Sequence, residues 1–138
     1  MPGNLTEEGE VRALNLLFRE EGTRPDNLYI GLSTTIIYSG HTLSDIIEPA
    51  DDSYSRVEVN FKPPESINEK HQIKNDAKVK FGPWSQDAAQ SIKSVFITDT
   101  ESGTEGDLLF AYTLNPNKTP KASESLNIDT DTCKINLT

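Results

Sequence analysis

The chain has 138 residues and a net charge of −9, and 34% of its residues are hydrophobic. This length is sufficient for one domain whose hydrophobic core needs no metal or disulfide. The acidic balance argues against binding to duplex nucleic acid, which requires a basic face, and it disfavours an anionic membrane surface. We therefore expect no nucleic-acid partner and no membrane partner.

The cysteine content and the N-terminal residues restrict the class of protein further. The single cysteine, Cys133, cannot form an internal disulfide, so a secreted disulfide scaffold is excluded. No apolar run approaches the ~20 residues of a membrane-spanning helix. Residues 1–4 lack the basic and then apolar pattern of a signal peptide. We expect a protein that is made and used without passing through the secretory route.

The first predicted element is an amphipathic helix over residues 6–21. Thr6 is a good N-cap, and Gly22 can adopt the left-handed conformation that ends a helix. Apolar residues recur on one face at helical spacing: Val11, Leu14, Leu17 and Phe18. This face is expected either to cover a sheet, which is the favoured interpretation, or to act as an arm that contacts a neighbouring subunit.

The remaining segment, residues 27–138, is predicted to consist of strands and turns. Alternating apolar residues predict strands at 27–34, 54–61, 79–81, 92–98, 108–114, 126–128 and 133–137. Residues 62–76 are polar and weakly patterned, which predicts a long loop. Because no helix separates the strands, we expect a single domain over residues 1–138: a mainly β, jelly-roll-like antiparallel β-sandwich with one N-terminal amphipathic helix.

No residue pattern indicates a catalytic or cofactor-binding site. His41 and His71 lie in a predicted turn and a predicted loop, and no Gly-x-Ser-x-Gly motif is present. Cys133 lies in a predicted strand, where nothing in the sequence would stabilise a thiolate. We therefore predict no catalytic residues and no cofactor, and we expect that the protein is not an enzyme.

The acidic loop between Asp99 and Asp107 is the best candidate for a metal site. It contains four carboxylates and two glycines, and calcium accepts such oxygen ligands. The loop lacks the residue order of an EF-hand, so a solvated hairpin tip is favoured and no metal site is predicted. Calcium binding remains the alternative interpretation of this loop.

Aromatic side chains provide a candidate surface of another kind. Tyr38, Tyr54 and Trp84 would form a platform for stacking against sugars if they were exposed together. Aromatic residues of strands more often belong to the core or to cross-strand pairs. An exposed aromatic patch is therefore the functional hypothesis, and packing in the core is its alternative.

Several short motifs occur in a distinctive order along the chain. They are ALNLL at 13–17, LYIGLS at 28–33, IEPA at 47–50, SYSR at 53–56, FGPW at 81–84, VFITD at 95–99, LLFAY at 108–112, SLNI at 125–128 and INL at 135–137. With this order the chain resembles a family of small tailed-phage virion proteins, which are described as head decoration, tail or fibre components. The resemblance covers most of the chain, and none of its motifs is a catalytic signature.

The resemblance implies a non-enzymatic protein that is made in the host cytoplasm and becomes part of the virion. The implied partners are the major capsid protein or the tail proteins of the same virion, with the chain itself present as a homo-oligomer or in many copies. The favoured function is a capsid decoration, or cement, protein that binds neighbouring capsid subunits and stabilises the particle. The alternative is a tail, baseplate or fibre component with a glycan-binding role.

Overall fold

The computed structural model describes residues 2–136, which form one helical region and ten strands. Helix α1 spans Glu7–Leu14 and continues as a π-helical segment over Asn15–Arg19, and a short 3-10 helix spans Leu43–Asp45. The strands are β1 Pro2–Leu5, β2 Leu28–Ser33, β3 Val57–Val59, β4 Glu65–Ile67, β5 Lys70–Lys74, β6 Val79–Phe81, β7 Ile92–Thr98, β8 Leu108–Lys118, β9 Leu126–Ile128 and β10 Lys134–Asn136. Within residues 2–136, no helix is long and apolar enough to cross a membrane.

Eight of these strands form one large sheet in the order β3-β2-β7-β8-β1-β10-β5-β4, and β6 pairs with β9 in a small second sheet. The large sheet curls, because the segments that follow β3 and β5 are hydrogen-bonded to each other. Phe61 bridges Asn75, and the Asp76 N–H donates to the Asn60 carbonyl at 2.9 Å. The predicted mainly β class is confirmed, whereas this strand order does not confirm a sandwich or a jelly roll.

The pairing of β1 with β10 is parallel, while the other strand pairs of the two sheets are antiparallel. The expectation of a wholly antiparallel arrangement is therefore wrong at this pair. The physical reason is the position of β1, which the sequence did not predict as a strand. Its four residues enter the sheet between β8 and β10, ahead of the helix.

The central strand β7 is buried on both faces. Val95 and Ile97 face the main hydrophobic core, while Phe96 faces a second cluster that includes Leu43 and Leu108. Because successive side chains of a strand point to opposite faces, β7 needs cover on both sides. The loop after β2 provides the second cover through the 3-10 helix at Leu43–Asp45.

The predicted loop over 62–76 is wrong, because it contains the hairpin of β4 and β5. The turn residues Asn68 and Glu69 have φ values of 51° and 66°, which suit a tight two-residue hairpin turn. All three residues of β4 are exposed, so this edge strand carries no apolar alternation that a sequence pattern could detect. The predicted C-terminal strand is confirmed at Lys134–Asn136, and its last predicted residue, Leu137, lies outside the described residues.

The predicted helix over 6–21 is confirmed with a shorter C-terminal end. Thr6 is the N-cap as predicted, and its hydroxyl accepts a hydrogen bond from the Gly9 N–H. The helical region ends at Arg19, because Glu20 adopts the left-handed conformation with a φ of 53°. Gly22 also has a positive φ, but it lies in the segment that follows the helix.

Candidate functional site: the outer face of the N-terminal helix

Helix α1 is attached to the start of β8 by polar contacts of its first turn. Thr6 is buried; its N–H donates to the Leu109 carbonyl at 3.1 Å, and its hydroxyl donates to the Leu108 carbonyl. The Glu8 carboxylate accepts from the Leu108 N–H at 3.1 Å. These contacts fix the N-terminal end of the helix on the sheet and satisfy donors that a helix start would leave free.

Gly9 allows the helix to approach the sheet backbone very closely. A Cβ atom at this position would lie 2.1 Å from the Leu109 carbonyl oxygen, closer than any side-chain carbon can approach. The glycine is therefore required by the contact between α1 and β8. A residue with a side chain here would push the helix away from the sheet.

Arg12 holds the next turn of the helix against the acidic loop between β7 and β8. Its guanidinium donates to the carboxylates of Asp99 and Asp107, the latter at 3.0 Å, and to the Thr23 carbonyl at 3.0 Å. Two of the four carboxylates considered for calcium thus face an arginine. Among residues 2–136, no group of three or more His, Cys, Asp or Glu side chains is arranged to hold a metal ion.

Since polar residues attach the helix, its apolar side faces outward. We call this side the outer helix face: Val11, Leu14, Leu17 and Phe18, whose exposed fractions are 58%, 58%, 69% and 77%. The favoured interpretation, in which these residues cover a sheet, is therefore wrong. The periodicity identified the apolar stripe correctly, but it could not show which side of the helix meets the sheet. Contact of this face with a neighbouring subunit stays a prediction.

The outer helix face is flanked by acidic side chains at both ends. Glu7 and Glu10 are exposed near its N-terminal end, and Glu20 and Glu21 are exposed directly after its C-terminal end. Arg19 is exposed among them, and its guanidinium donates to the Asn15 side chain at 3.1 Å. The surface is therefore apolar in the middle and predominantly negative at its ends.

The predicted exposed aromatic patch does not form. Tyr38 is 64% exposed, but Trp84 is only 2% exposed and lies in the main core. The Trp84 N–H donates to the Glu124 carbonyl at 2.8 Å, and the Trp84 carbonyl accepts from the Ser123 N–H at 2.7 Å. Tyr54 is half-buried and stacks on Phe81 with 5.9 Å between ring centroids. The prediction is wrong because two of its three aromatic side chains pack inside the protein.

Two of the motifs that carry the family resemblance meet around a buried charge. Arg56 donates to the Glu48 carboxylate at 2.8 Å and to the carbonyls of Thr100 and Gly103 at 3.1 and 2.9 Å. The Tyr54 hydroxyl donates to the same carboxylate at 2.8 Å. The sequence showed these motifs but not their contact, which joins the loop before β3 to the loop between β7 and β8.

The cysteine and the histidines occupy separate environments. Cys133 is fully buried in the main core, and this burial raises the pKa of its thiol to about 11. His41 accepts from the Tyr38 N–H at 3.2 Å and packs edge-on against the Tyr38 ring. His71 is exposed on β5. At neutral pH Cys133 is a packed, protonated thiol, as expected for a buried cysteine.

The chain is an acidic, mainly β domain, and exposed apolar surface such as its outer helix face is typical of sites that contact other macromolecules. The comparison with known protein families identifies the family to which the chain belongs. The chain belongs to the family described as podophage GP4 fiber I protein gp80, whose model matches residues 4–136. It is a structural protein of a tailed-phage virion, as the sequence resemblance implied, and the virion is its location. No curated protein matches the chain.

Proposed function

We propose that this chain is a component of the podophage tail fibre and that it acts by binding other virion proteins, without catalysis. The observation that carries the proposal is the match of residues 4–136 to a family described as a fiber protein. This match supports the fibre alternative of the sequence analysis better than the favoured function of capsid decoration.

The outer helix face supports a role in assembly. Its four side chains are each more than half exposed, while the chain keeps its other large apolar residues mostly in two core clusters. Exposed apolar surface that is rimmed by polar residues marks sites where proteins bind each other. A protein that becomes part of a larger particle would bury this face on assembly.

A glycan-binding role has less support than an attachment role. The hypothesis depended on three aromatic side chains exposed together, and Trp84 is packed in the core. Tyr38 alone offers one ring, which His41 already contacts edge-on. We therefore assign the chain to the assembly of the fibre rather than to recognition of host sugars.

The test is to locate the chain on intact virions and to remove it genetically. Immunogold electron microscopy with antibodies against the purified chain should label the tail fibres. Particles from a phage that lacks the gene should lose fibre density and adsorb poorly to cells, while their heads keep their resistance to heat. Complementation with the wild-type gene should restore both properties.

The opposite pattern would support capsid decoration. Antibody label distributed over the head, together with heat-sensitive particles that adsorb normally, would overturn the fibre proposal. The two functions therefore differ in where the label lies and in which property of the particle is lost.

A further inference from the structure

We propose that the outer helix face docks into an apolar groove of a different protein of the same virion, and that lysine and arginine side chains line the rim of this groove. This inference deepens the proposed function, because it assigns the contact surface and the chemistry of the partner. It does not require the surface to recognise a second copy of the chain.

The spacing of the exposed side chains suits a groove. Val11, Leu14 and Leu17 lie at intervals of three residues and Phe18 follows, which is the pattern by which one face of a helix inserts into an apolar groove. Phe18 is the largest of them and is 77% exposed. Aromatic anchors of this kind contribute strongly to binding when a partner buries them.

The helix is already ordered in the free chain. Thr6 and Gly9 hold its first turn on β8, and Arg12 holds the next turn on Asp99 and Asp107. Binding would therefore not have to order a disordered segment, which is a large unfavourable contribution to many helix-in-groove complexes. The polar side of the helix fixes its position, and the apolar side remains free for a partner.

The charges around the face indicate the chemistry of the groove. Residues 7–21 contain five glutamates and two arginines. Two of these side chains are turned away from the face: Arg12 toward two aspartates of the loop between β7 and β8, and Glu8 toward the Leu108 N–H. Four exposed glutamates and one exposed arginine, Arg19, remain around the stripe, with glutamates at both of its ends. Complementary potentials across an interface therefore call for a basic rim on the partner.

The same charges argue against a second copy as the occupant. A two-fold symmetric contact would place this face against itself, since both subunits use the same patch. The glutamates at each end would then approach glutamates of the other copy, and both chains carry a net charge of −9. Like charges placed opposite each other in an interface are unfavourable, so a different, basic partner fits the face better.

The first experiment places a photo-crosslinker on the face in assembled particles. Phe18→p-benzoylphenylalanine and, as a matched control, Ile67→p-benzoylphenylalanine are supplied in place of the wild-type chain, and intact virions are irradiated and analysed by mass spectrometry. Ile67 is also an exposed apolar residue, 41% exposed, but it lies on the edge strand β4. Position 18 should crosslink to a lysine- or arginine-containing peptide of another virion protein.

Three outcomes of this experiment would overturn the inference. They are a crosslink from position 18 to a second copy of this chain, a crosslink to a segment without basic residues, and no crosslink from position 18. Because these outcomes concern the surface alone, they remain informative if the antibody label shows the chain on the head. In that case the fibre proposal fails, while the docking surface is still confirmed or overturned by its own crosslinks.

The second experiment measures how many copies of each variant enter the particle. Leu17→Ser and Phe18→Ser should each lower the copy number about tenfold or more, because anchor residues dominate interface affinity. The double variant Glu10→Lys and Glu21→Lys should lower it about threefold or more, because basic side chains would then face a basic rim. Thermal unfolding of each purified variant should match the wild type, since these side chains are exposed.

Ile67→Ser is the control and should leave the copy number unchanged. Unchanged incorporation of Leu17→Ser and Phe18→Ser would overturn the docking surface. Unchanged or improved incorporation of the charge-reversed variant would overturn the basic rim. A stable dimer of the purified chain that Leu17→Ser converts to a monomer would show that a second copy occupies the face, and it would overturn the inference as well.

Discussion

The guanidinium of Arg56 lies 2.8 Å from the carboxylate of Glu48, and the Arg56 side chain is only 4% exposed. The same guanidinium donates to the carbonyls of Thr100 and Gly103 and lies 5.3 Å from the centre of the Phe96 ring. One buried charge thus connects two loops to the central strand β7. Its carboxylate partner Glu48 is 30% exposed, so the solvent-accessible member of this ion pair is the glutamate.

Replacing Glu48 should therefore be costly. In Glu48→Gln the shape is kept, but the buried Arg56 loses its negative partner. Removal of one member of a buried ion pair costs about 3–5 kcal/mol, and the partial exposure of Glu48 reduces this cost to about 2–3 kcal/mol. Urea unfolding of the wild type and the variant at neutral pH measures this difference.

The matched control is Glu65→Gln, which makes the same chemical change in an ion pair whose carboxylate is exposed. Glu65 lies 2.5 Å from the Lys74 ammonium group and is 47% exposed. Solvent screens an ion pair whose carboxylate is exposed, so this variant should differ little from the wild type. Equal losses of stability in the two variants would contradict a special role for the Arg56 contact.

A methyl group at position 9 should separate the helix from the sheet. In Gly9→Ala the added carbon would overlap the Leu109 carbonyl, so the helix must shift. Overpacking of this kind costs about 1–3 kcal/mol, even though alanine favours the helical conformation itself. The thermal midpoint and the hydrogen exchange of the Thr6 N–H measure the shift.

Gly40→Ala is the control for this substitution. A Cβ at Gly40 would meet only the flexible end of the Glu7 side chain, at 3.1 Å, which can move aside. Its stability should stay within about 0.5 kcal/mol of the wild type. If Gly9→Ala is as stable as Gly40→Ala, the close approach of α1 to β8 is not as described.

Asp51 should make the stability depend on pH in the acidic range. Its carboxylate accepts from the Ser53 hydroxyl at 2.6 Å and also from the Ser53 N–H and from Ser85, and these hydrogen bonds hold its pKa well below the ordinary 3.8. Because the folded-state pKa is depressed, the contribution to stability is complete above the unfolded-state pKa. It is lost as the pH falls through the folded-state value.

The measurement compares the thermal midpoints of the wild type and Asp51→Asn across a pH series. The wild type should be the more stable protein from neutral pH down to about pH 4, and the difference should shrink below it. The control Asp52→Asn removes an exposed carboxylate one residue along the chain. A difference for Asp51→Asn that stays constant to the lowest pH would contradict the role of these hydrogen bonds.

Trp84 should matter for stability, and Tyr38 should not. Trp84→Ala removes a side chain that is 2% exposed and leaves a cavity in the main core, which typically costs about 3–5 kcal/mol. Tyr38→Ala removes a ring that is 64% exposed and should cost less than about 1 kcal/mol. Denaturant unfolding checks both, and a stable Trp84→Ala variant would contradict the packing of this residue.

The elements that the sequence predicted well are those in which the core imposes an apolar pattern. β2 and β7 lie side by side in the middle of the large sheet, and their buried residues include Ile30, Leu32, Val95 and Ile97. Apolar residues alternate in β2, whereas β7, which is buried on both faces, contains a continuous apolar run at 95–97, so both strands could be recognised without a structure. The short strands β6, β9 and β10 were found from apolar residues at alternate positions in the sequence.

The strands that the sequence missed have no apolar period of their own and are defined by their pairing. β1 contains a proline and a glycine and has no apolar period, and it is a strand because residues near 110 and 134 pair with it. β4 is the edge strand of the sheet, β5 lies next to it, and both are mostly polar. Their composition therefore gave no sign of a strand, and hydrogen bonds with the neighbouring strands define them.

The site residues were found, but their orientation was not. Val11, Leu14, Leu17 and Phe18 form one stripe, as the helical period predicted. Such a stripe is usually expected to face the core. In this protein the polar contacts of Thr6 and Arg12 place the opposite side of the helix on the sheet, so the stripe faces solvent. A pattern of apolar residues defines a face, and the contacts of the opposite face decide which way it points.

The position of β1 has a consequence for how this protein is synthesised. Its residues pair with Phe110 and Ala111 on one side and with Lys134 and Ile135 on the other. A ribosome must therefore release the chain as far as Ile135 before the middle of the sheet can close. Until then the nascent chain carries unpaired strand edges, so we expect slow folding after translation and a need for chaperones during rapid expression.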